Sequence, residues 1–103
     1  LKTVDAKISG SCLELTVKTP RLDAATAGEF KKECAELWPR SVATVCADLG
    51  VVDFIDSSGV GALLGLFRKL PPETPALKLR NVRPQVQSVV ELLRLHRIFE
   101  VES

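Results

Sequence analysis

Histidine is almost missing from this chain: His96 is the only one among 103 residues. The three cysteines, Cys12, Cys34 and Cys46, are widely spaced and form no C-x-x-C pair, so a Cys/His zinc site would have to gather scattered ligands. A serine hydrolase of the G-x-S-x-G type is excluded, because no glycine stands two residues before either serine of the central Ser57-Ser58 pair. The glycines at 59, 61 and 65 fit neither G-x-G-x-x-G nor the phosphate loop with its lysine. Excess charge is missing too. Lys and Arg number 14 against 13 Asp and Glu, for a net charge of +1, which gives no electrostatic reason to expect direct nucleic-acid binding. No apolar run approaches the ~20 residues that span a bilayer, and there is no signal-peptide pattern, linker, repeat or low-complexity segment. These absences predict a chain that is not an enzyme, carries no metal or cofactor of its own and does not insert into membranes. Each cysteine lies in an apolar or amphipathic run and reads as a small buried thiol, which fits a cytoplasmic location.

What remains is ordinary for a folded domain: 46% hydrophobic and 26% charged residues. The length fits one domain over 1–103. Alternating segments around Thr3 to Ile8 and Cys12 to Val17 flank Ser9-Gly10-Ser11, a turn signal, and predict an antiparallel hairpin. From Asp23 to Leu37 the pattern becomes helical, with Ala27, Phe30, Cys34 and Leu37 on one stripe. Val42 to Ala47 reads as a strand covered on both faces. A second helix follows Ser57-Ser58-Gly59, with Val60, Leu63, Leu64 and Phe67 as its inward stripe and Pro71-Pro72 as its stop. "ALKLRNV" alternates as a strand. Pro84 opens a third helix with Val86, Val89, Val90 and Leu93 inward, and Ile98 to Val101 reads as a last short strand. The order β-β-α-β-α-β-α(-β) predicts an α/β fold: a small mixed, mostly parallel sheet of four to five strands with about three helices.

Asp56-Ser57-Ser58-Gly59, between an apolar run and a helix, is the stretch that carries chemistry. Its simplest role is to cap the helix, since Asp or Ser there accepts hydrogen bonds from free backbone N–H groups. A second role is compatible with the first: a hydroxyl at an exposed strand-helix junction can receive a phosphate, adding about −1.5 to −2 charges beside Asp56 and Asp53. Loops at the carboxyl ends of parallel strands gather at one edge, which places Asp23 there as well. On the second helix, Gly61, Ala62, Gly65, Leu66 and Lys69 lie opposite the inward stripe and are small or apolar apart from the lysine. They are expected to supply a docking face. The residues alone leave cap and phosphoacceptor both open.

"ADLGVVDFIDSSGVGALLGLFRKL" at 47–70, "PRLDAATAGEF" upstream and "ALKLRNVRPQVQSVVELLRLHRIFEV" downstream together resemble the STAS family, specifically bacterial anti-sigma factor antagonists. The resemblance implies a STAS-like fold and a partner-switching role. The unphosphorylated form binds an anti-sigma factor that is also a serine kinase and frees the sigma factor. Phosphorylation of Ser57 ends that binding, and a serine phosphatase reverses it. Asp23, Asp56, Ser58 and Gly59 then surround the site, with ATP and magnesium belonging to the kinase. The alternatives are a STAS adaptor of a lipid or anion transport system, and a constitutive interaction module. Two departures stand out: Pro20-Arg21, where the family has Gly-Glu or similar, which puts a cation near the site as part of the partner-binding set, and "PPETP" after the second helix.

Overall fold

The computed structural model describes residues 3–70 and 77–102. The Pro71-Pro72 helix stop and the "PPETP" connection lie outside the described residues. The chain begins with the expected hairpin. β1 (Val4–Ser9) pairs antiparallel with β2 (Cys12–Val17), in a register that sets Val4 against Val17 and Ser9 against Cys12. Gly10 turns the corner at φ +62, a conformation glycine adopts without steric cost. Next come β3 (Arg21–Leu22), α1 (Ala27–Leu37), β4 (Thr44–Asp48), β5 (Phe54–Ile55) and α2 (Ser57–Arg68). The described chain closes with β6 (Lys78–Arg80), α3 (Pro84–Leu92), a 3₁₀ turn (Leu95–Arg97) carrying His96, and β7 (Glu100–Val101).

The main sheet has the order β1-β2-β4-β6-β7, with β1 antiparallel and the remaining pairs parallel. Alternation decides which side chains are covered. Val4, Leu13, Leu15, Val17, Val45, Ala47 and Leu79 enter one core with Phe30 and Cys34 of α1, Leu63 and Leu66 of α2, and Val86 and Val90 of α3. The alternate residues, including Asp5, Lys7, Glu14, Thr16 and Arg80, form an open polar face. The near-continuous apolar run of β4 predicts cover on both faces, but only one face lies under helices. Cys46 on the other face is 7% exposed because its sheet neighbours Glu14, Lys78 and Arg80 carry long side chains that shade it. Cys34 is buried as expected, and burial pushes its thiol up to about 12, whereas Cys12 is only half-buried.

Three further features depart from the sequence reading. β3 and β5 form a separate two-stranded parallel ribbon, Arg21 beside Phe54 and Leu22 beside Ile55. Two residues per strand are too few to print an alternation. α1 starts at Ala27 rather than Asp23, because Asp23 organises a turn over 23–26 ahead of the helix. Leu93 lies beyond α3 and is half-exposed.

The charged pattern of α1 conceals one buried acid. Glu33 is 3% exposed, and its Oε1 accepts from both the N–H and the Oγ1 of Thr3 at 2.9 Å. This ties the start of the chain to α1. Glu33→Ala leaves those two donors without that acceptor and is expected to destabilise the protein by about 1–3 kcal/mol in urea unfolding.

Candidate functional site

The site forms where β5 passes into α2, with the β3–α1 turn beside it. Asp56 sits at the N-cap in an extended conformation (φ −119, ψ −170). Its Oδ1 accepts from the N–H groups of Ser58 at 2.8 Å and Gly59 at 3.1 Å. Its Oδ2 accepts from the Ala24 N–H at 3.2 Å. One carboxylate therefore satisfies two orphan donors of the helix and holds the turn that follows β3. Capping belongs to the aspartate alone. Ser57, the first residue of α2, is exposed, and its hydroxyl has no hydrogen-bond partner among the described residues. Ser58 is half-buried.

Gly59 has a steric reason to be glycine. A Cβ built there would collide with the carbonyl oxygen of Leu22 and come within 2.8 Å of Ile55 Cγ1. The first turn of α2 thus lies directly on the β3 backbone, and this contact fixes the rotation of the helix. It turns Gly59, Val60, Ala62, Leu63 and Leu66 inward, and the following Leu70 is buried as well. Here the sequence reading is corrected. Ala62 is 1% and Leu66 3% exposed, so neither can belong to a docking face, while Leu64 and Phe67, expected inside, are only half-buried. α2 is apolar around most of its circumference, and such a pattern leaves its phase open to about one residue. Gly61 and Gly65 do face outward: a Cβ at either position meets nothing within 4 Å. With Ser57 they follow the i, i+4, i+8 spacing of one helix face. Lys69, just past the helix, lies over the Trp38 ring at 5.1 Å.

Asp23 anchors the neighbouring turn. Its Oδ1 accepts from the Ala25 N–H at 3.1 Å, and its Oδ2 from Arg21 Nε at 3.1 Å. Thr26 Oγ1 accepts from the Asp23 N–H at 3.0 Å and donates to the Arg21 carbonyl at 2.7 Å. Desolvation pushes the Asp23 carboxyl up, but the Arg21 hydrogen bond and charge, with help from Ala25 and Thr26, outweigh it and hold the group below its ordinary value of 3.8. Arg21 is also engaged on its other side, lying 4.1 Å above the Phe54 ring. It is therefore a stacked, paired cation rather than a free one. Phe54 is 39% exposed beside the site, an aromatic that the sequence reading passed over. Its only sequence signal was its place two residues before Asp56. Asp53 is exposed, and its N–H donates to the Pro20 carbonyl at 2.8 Å.

A hollow of about 310 Å³ lies elsewhere, on the open face of the sheet, lined by Cys12, Cys46, Lys78, Arg80 and Glu100 among others. It shares no residue with the junction. Among the described residues, no cluster of three or more His, Cys, Asp or Glu side chains is placed to hold a metal ion. No described helix is long and apolar enough to cross a membrane.

The STAS domain model matches residues 3–103, and the chain belongs to that family. Solved structures share the fold. An anti-sigma factor antagonist from Mycobacterium paratuberculosis superposes with a TM-score of 0.82 at 21% identity, covering 97% of this chain and 84% of that one. The Bacillus cell fate determinant SpoIIAA in its phosphorylated form gives 0.69 at 20% identity, over 97% and 91%. A sulfate transporter family protein from Wolinella succinogenes gives 0.72 at 14% identity, over 93% and 80%.

Two glycines two positions apart are expected to behave oppositely. Gly59→Ala must displace β3 or the helix and should cost about 1–3 kcal/mol, as overpacked sites do. Gly61→Ala, with open space around it, should stabilise by about 0.5–1 kcal/mol through helix propensity. Thermal and urea unfolding of the pair check both signs. Acid titration adds a third reading. The depressed Asp23 carboxyl contributes stability that is present above pH 3.8, the group's ordinary value, and is lost as pH falls through its lower folded value. Asp23→Asn should flatten the stability profile in that acid range.

Proposed function

We propose that residues 1–103 form one STAS domain that acts as an anti-sigma factor antagonist, a non-catalytic binding partner switched by phosphorylation of Ser57. The observation that carries this reading is the division of labour at the junction. Asp56 makes the cap, Gly59 makes the helix contact, and Ser57 is left exposed with no hydrogen-bond partner among the described residues. A hydroxyl that does no structural work there is accessible to another protein's active site. Phosphorylation would add about −1.5 to −2 charges beside Asp56, with Asp23 and Asp53 nearby. The start of α2 tolerates an anion because its macrodipole favours negative charge. The modified protein therefore keeps its fold and changes only its surface.

The partner is an anti-sigma factor with serine-kinase activity, which supplies ATP and magnesium, and a serine phosphatase resets the site. Likeness in fold to antagonists, one of them in a phosphorylated form, supports the reading. Docking uses the face that runs from Ser57 along Gly61 and Gly65, flanked by Arg21 stacked on Phe54. The glycines favour this choice. Each costs the helix about 1 kcal/mol relative to alanine, and the open space around them gives the fold no reason to keep them. Lys69, held over Trp38, lies at the far end of this face. The whole exchange is expected to take place in the cytoplasm.

Affinity capture from the native cell lysate with the unmodified protein, Ser57→Glu and an enzymatically phosphorylated sample tests the switch. The unmodified protein should retain an ATP-binding kinase or anti-sigma factor that the other two release, and Ser57→Ala should accept no phosphate from it. Equal retention by all forms would instead establish a constitutive adaptor. Recovery of transport components would point to the branch represented by the sulfate transporter family neighbour.

A further inference from the structure

Two of the three cysteines, Cys12 and Cys46, line the hollow of about 310 Å³ on the open face of the main sheet. The strand register places them. Cys12 of β2 stands opposite Thr44 of β4, and Cys46 comes two residues later on β4, opposite Glu14. Residues two apart on a strand share a face. Cys12, Glu14, Thr44 and Cys46 therefore point away from the helices, while Leu13, Leu15, Val45 and Ala47 enter the core. Across the sheet, the row of Cys46 continues through Lys78 of β6 to Glu100 of β7. The hollow forms because Cys12, Thr44 and Cys46 are short beside the long side chains of Lys78, Arg80 and Glu100. The third cysteine, Cys34, is 1% exposed in the core under the helices and takes no part.

The spacing of this diagonal pair decides its chemistry. Diagonal neighbours on a sheet face have Cα atoms about 7–8 Å apart and Cβ atoms somewhat closer. A disulfide needs Cα atoms within about 6.8 Å and Cβ atoms about 3.8 Å apart, so the two thiols cannot join without moving a strand. Leaning toward each other, their sulfurs close to about 4.6 Å, the length of two metal–thiolate bonds of about 2.3 Å laid end to end. The thiols are near enough for charge on one to oppose charge on the other. Two thiolates in a line suit a soft monovalent cation with a filled d shell, Cu(I) foremost. A structural zinc ion asks for four ligands. Among the described residues, no third His, Cys, Asp or Glu is placed to join the pair.

From this we infer that Cys12 and Cys46 form a two-coordinate binding site for Cu(I) on the open face of the sheet. The inference does not depend on the phosphorylation of Ser57. On binding, two Cu–S bonds form, two S–H bonds break and two protons leave to solvent, with no electron transferred. The resulting bis-thiolate carries one negative charge. Lys78, directly across from Cys46, and Arg80 on the wall of the hollow suit that charge. Burial disfavours a thiolate at Cys46, and Arg80 and Lys78 offset part of the penalty. Entry is from the side of Cys12, which is only half-buried.

Anaerobic competition of the whole chain against a chromophoric Cu(I) chelator, bicinchoninate, tests the inference. The parent protein should take up one Cu(I) per chain with unchanged sedimentation, and X-ray absorption of the loaded protein should show two sulfur neighbours. Cys12→Ser and Cys46→Ser should each weaken binding about a hundredfold or more. The double variant should lose little beyond either single one, because one thiolate alone cannot complete the pair. Cys34→Ala should bind as the parent does. Lys78→Gln, which keeps both sulfurs and removes a neighbouring charge, should weaken binding about tenfold. Circular dichroism checks the fold of each variant, and half-buried Cys12 gives the substitution least able to disturb it. A parent that holds Cu(I) no more tightly than glutathione does overturns the inference. So does one Cu(I) per two chains, which marks a bridge between molecules, and so does binding that neither serine variant weakens.

Discussion

The Asp56 carboxylate is the contact on which the geometry of the site depends. One oxygen closes the amino terminus of α2, and the other reaches across to the turn after β3. A charged group that accepts three backbone hydrogen bonds is held more strongly than a neutral cap would be. It does so between segments 32 residues apart in sequence. The contact of Gly59 with the Leu22 carbonyl completes the joint, because α2 can approach the ribbon only where no side chain intervenes. Together these two contacts determine where Ser57 points.

Within four consecutive residues, this joint gives the structural contacts to Asp56 and Gly59 and leaves Ser57 exposed. Asp56 and Gly59 cannot be replaced without moving a helix or a strand, whereas Ser57 lies outside the hydrogen-bond network. Were Ser57 phosphorylated as proposed, the switch would need no conformational change within its own domain, because added charge alters what can approach the surface. The Arg21–Phe54 stack is a rigid neighbour of that surface. With the guanidinium held by Asp23 and the ring, little side-chain freedom is left to lose when a partner binds.

The sheet gives the molecule two further surfaces with different chemistry. One face is sealed by helices. The other is a polar field in which Lys78 pairs with Glu102 at 2.8 Å and Arg80 lies 3.8 Å from the same carboxylate. At the far side from β7, β1 ends the sheet, with Val4 covered and Ile8 exposed.

Much of this was legible in the sequence. The hairpin, the three helices and the five strands of the main sheet follow from periodicity and from glycine and proline punctuation, since strands and helices differ in the period of their buried residues. The Asp-Ser-Ser-Gly junction was legible as a helix start for the same reason. The phase of α2 was not. Its apolar residues surround most of the helix, so only the tertiary contact at Gly59 decides that Ala62 and Leu66 go inside while Gly61 and Gly65 stay out. The β3–β5 ribbon, the burial of Glu33 and the stacking of Arg21 on Phe54 were equally hidden. Each joins residues distant in sequence, through pairings too short or too specific to leave a periodic trace. Sequence by itself determined the elements and their order, because those depend on local spacing. Tertiary structure decided which oxygen caps, which glycine is indispensable and which hydroxyl is left exposed, because those depend on what the folded chain brings within contact distance.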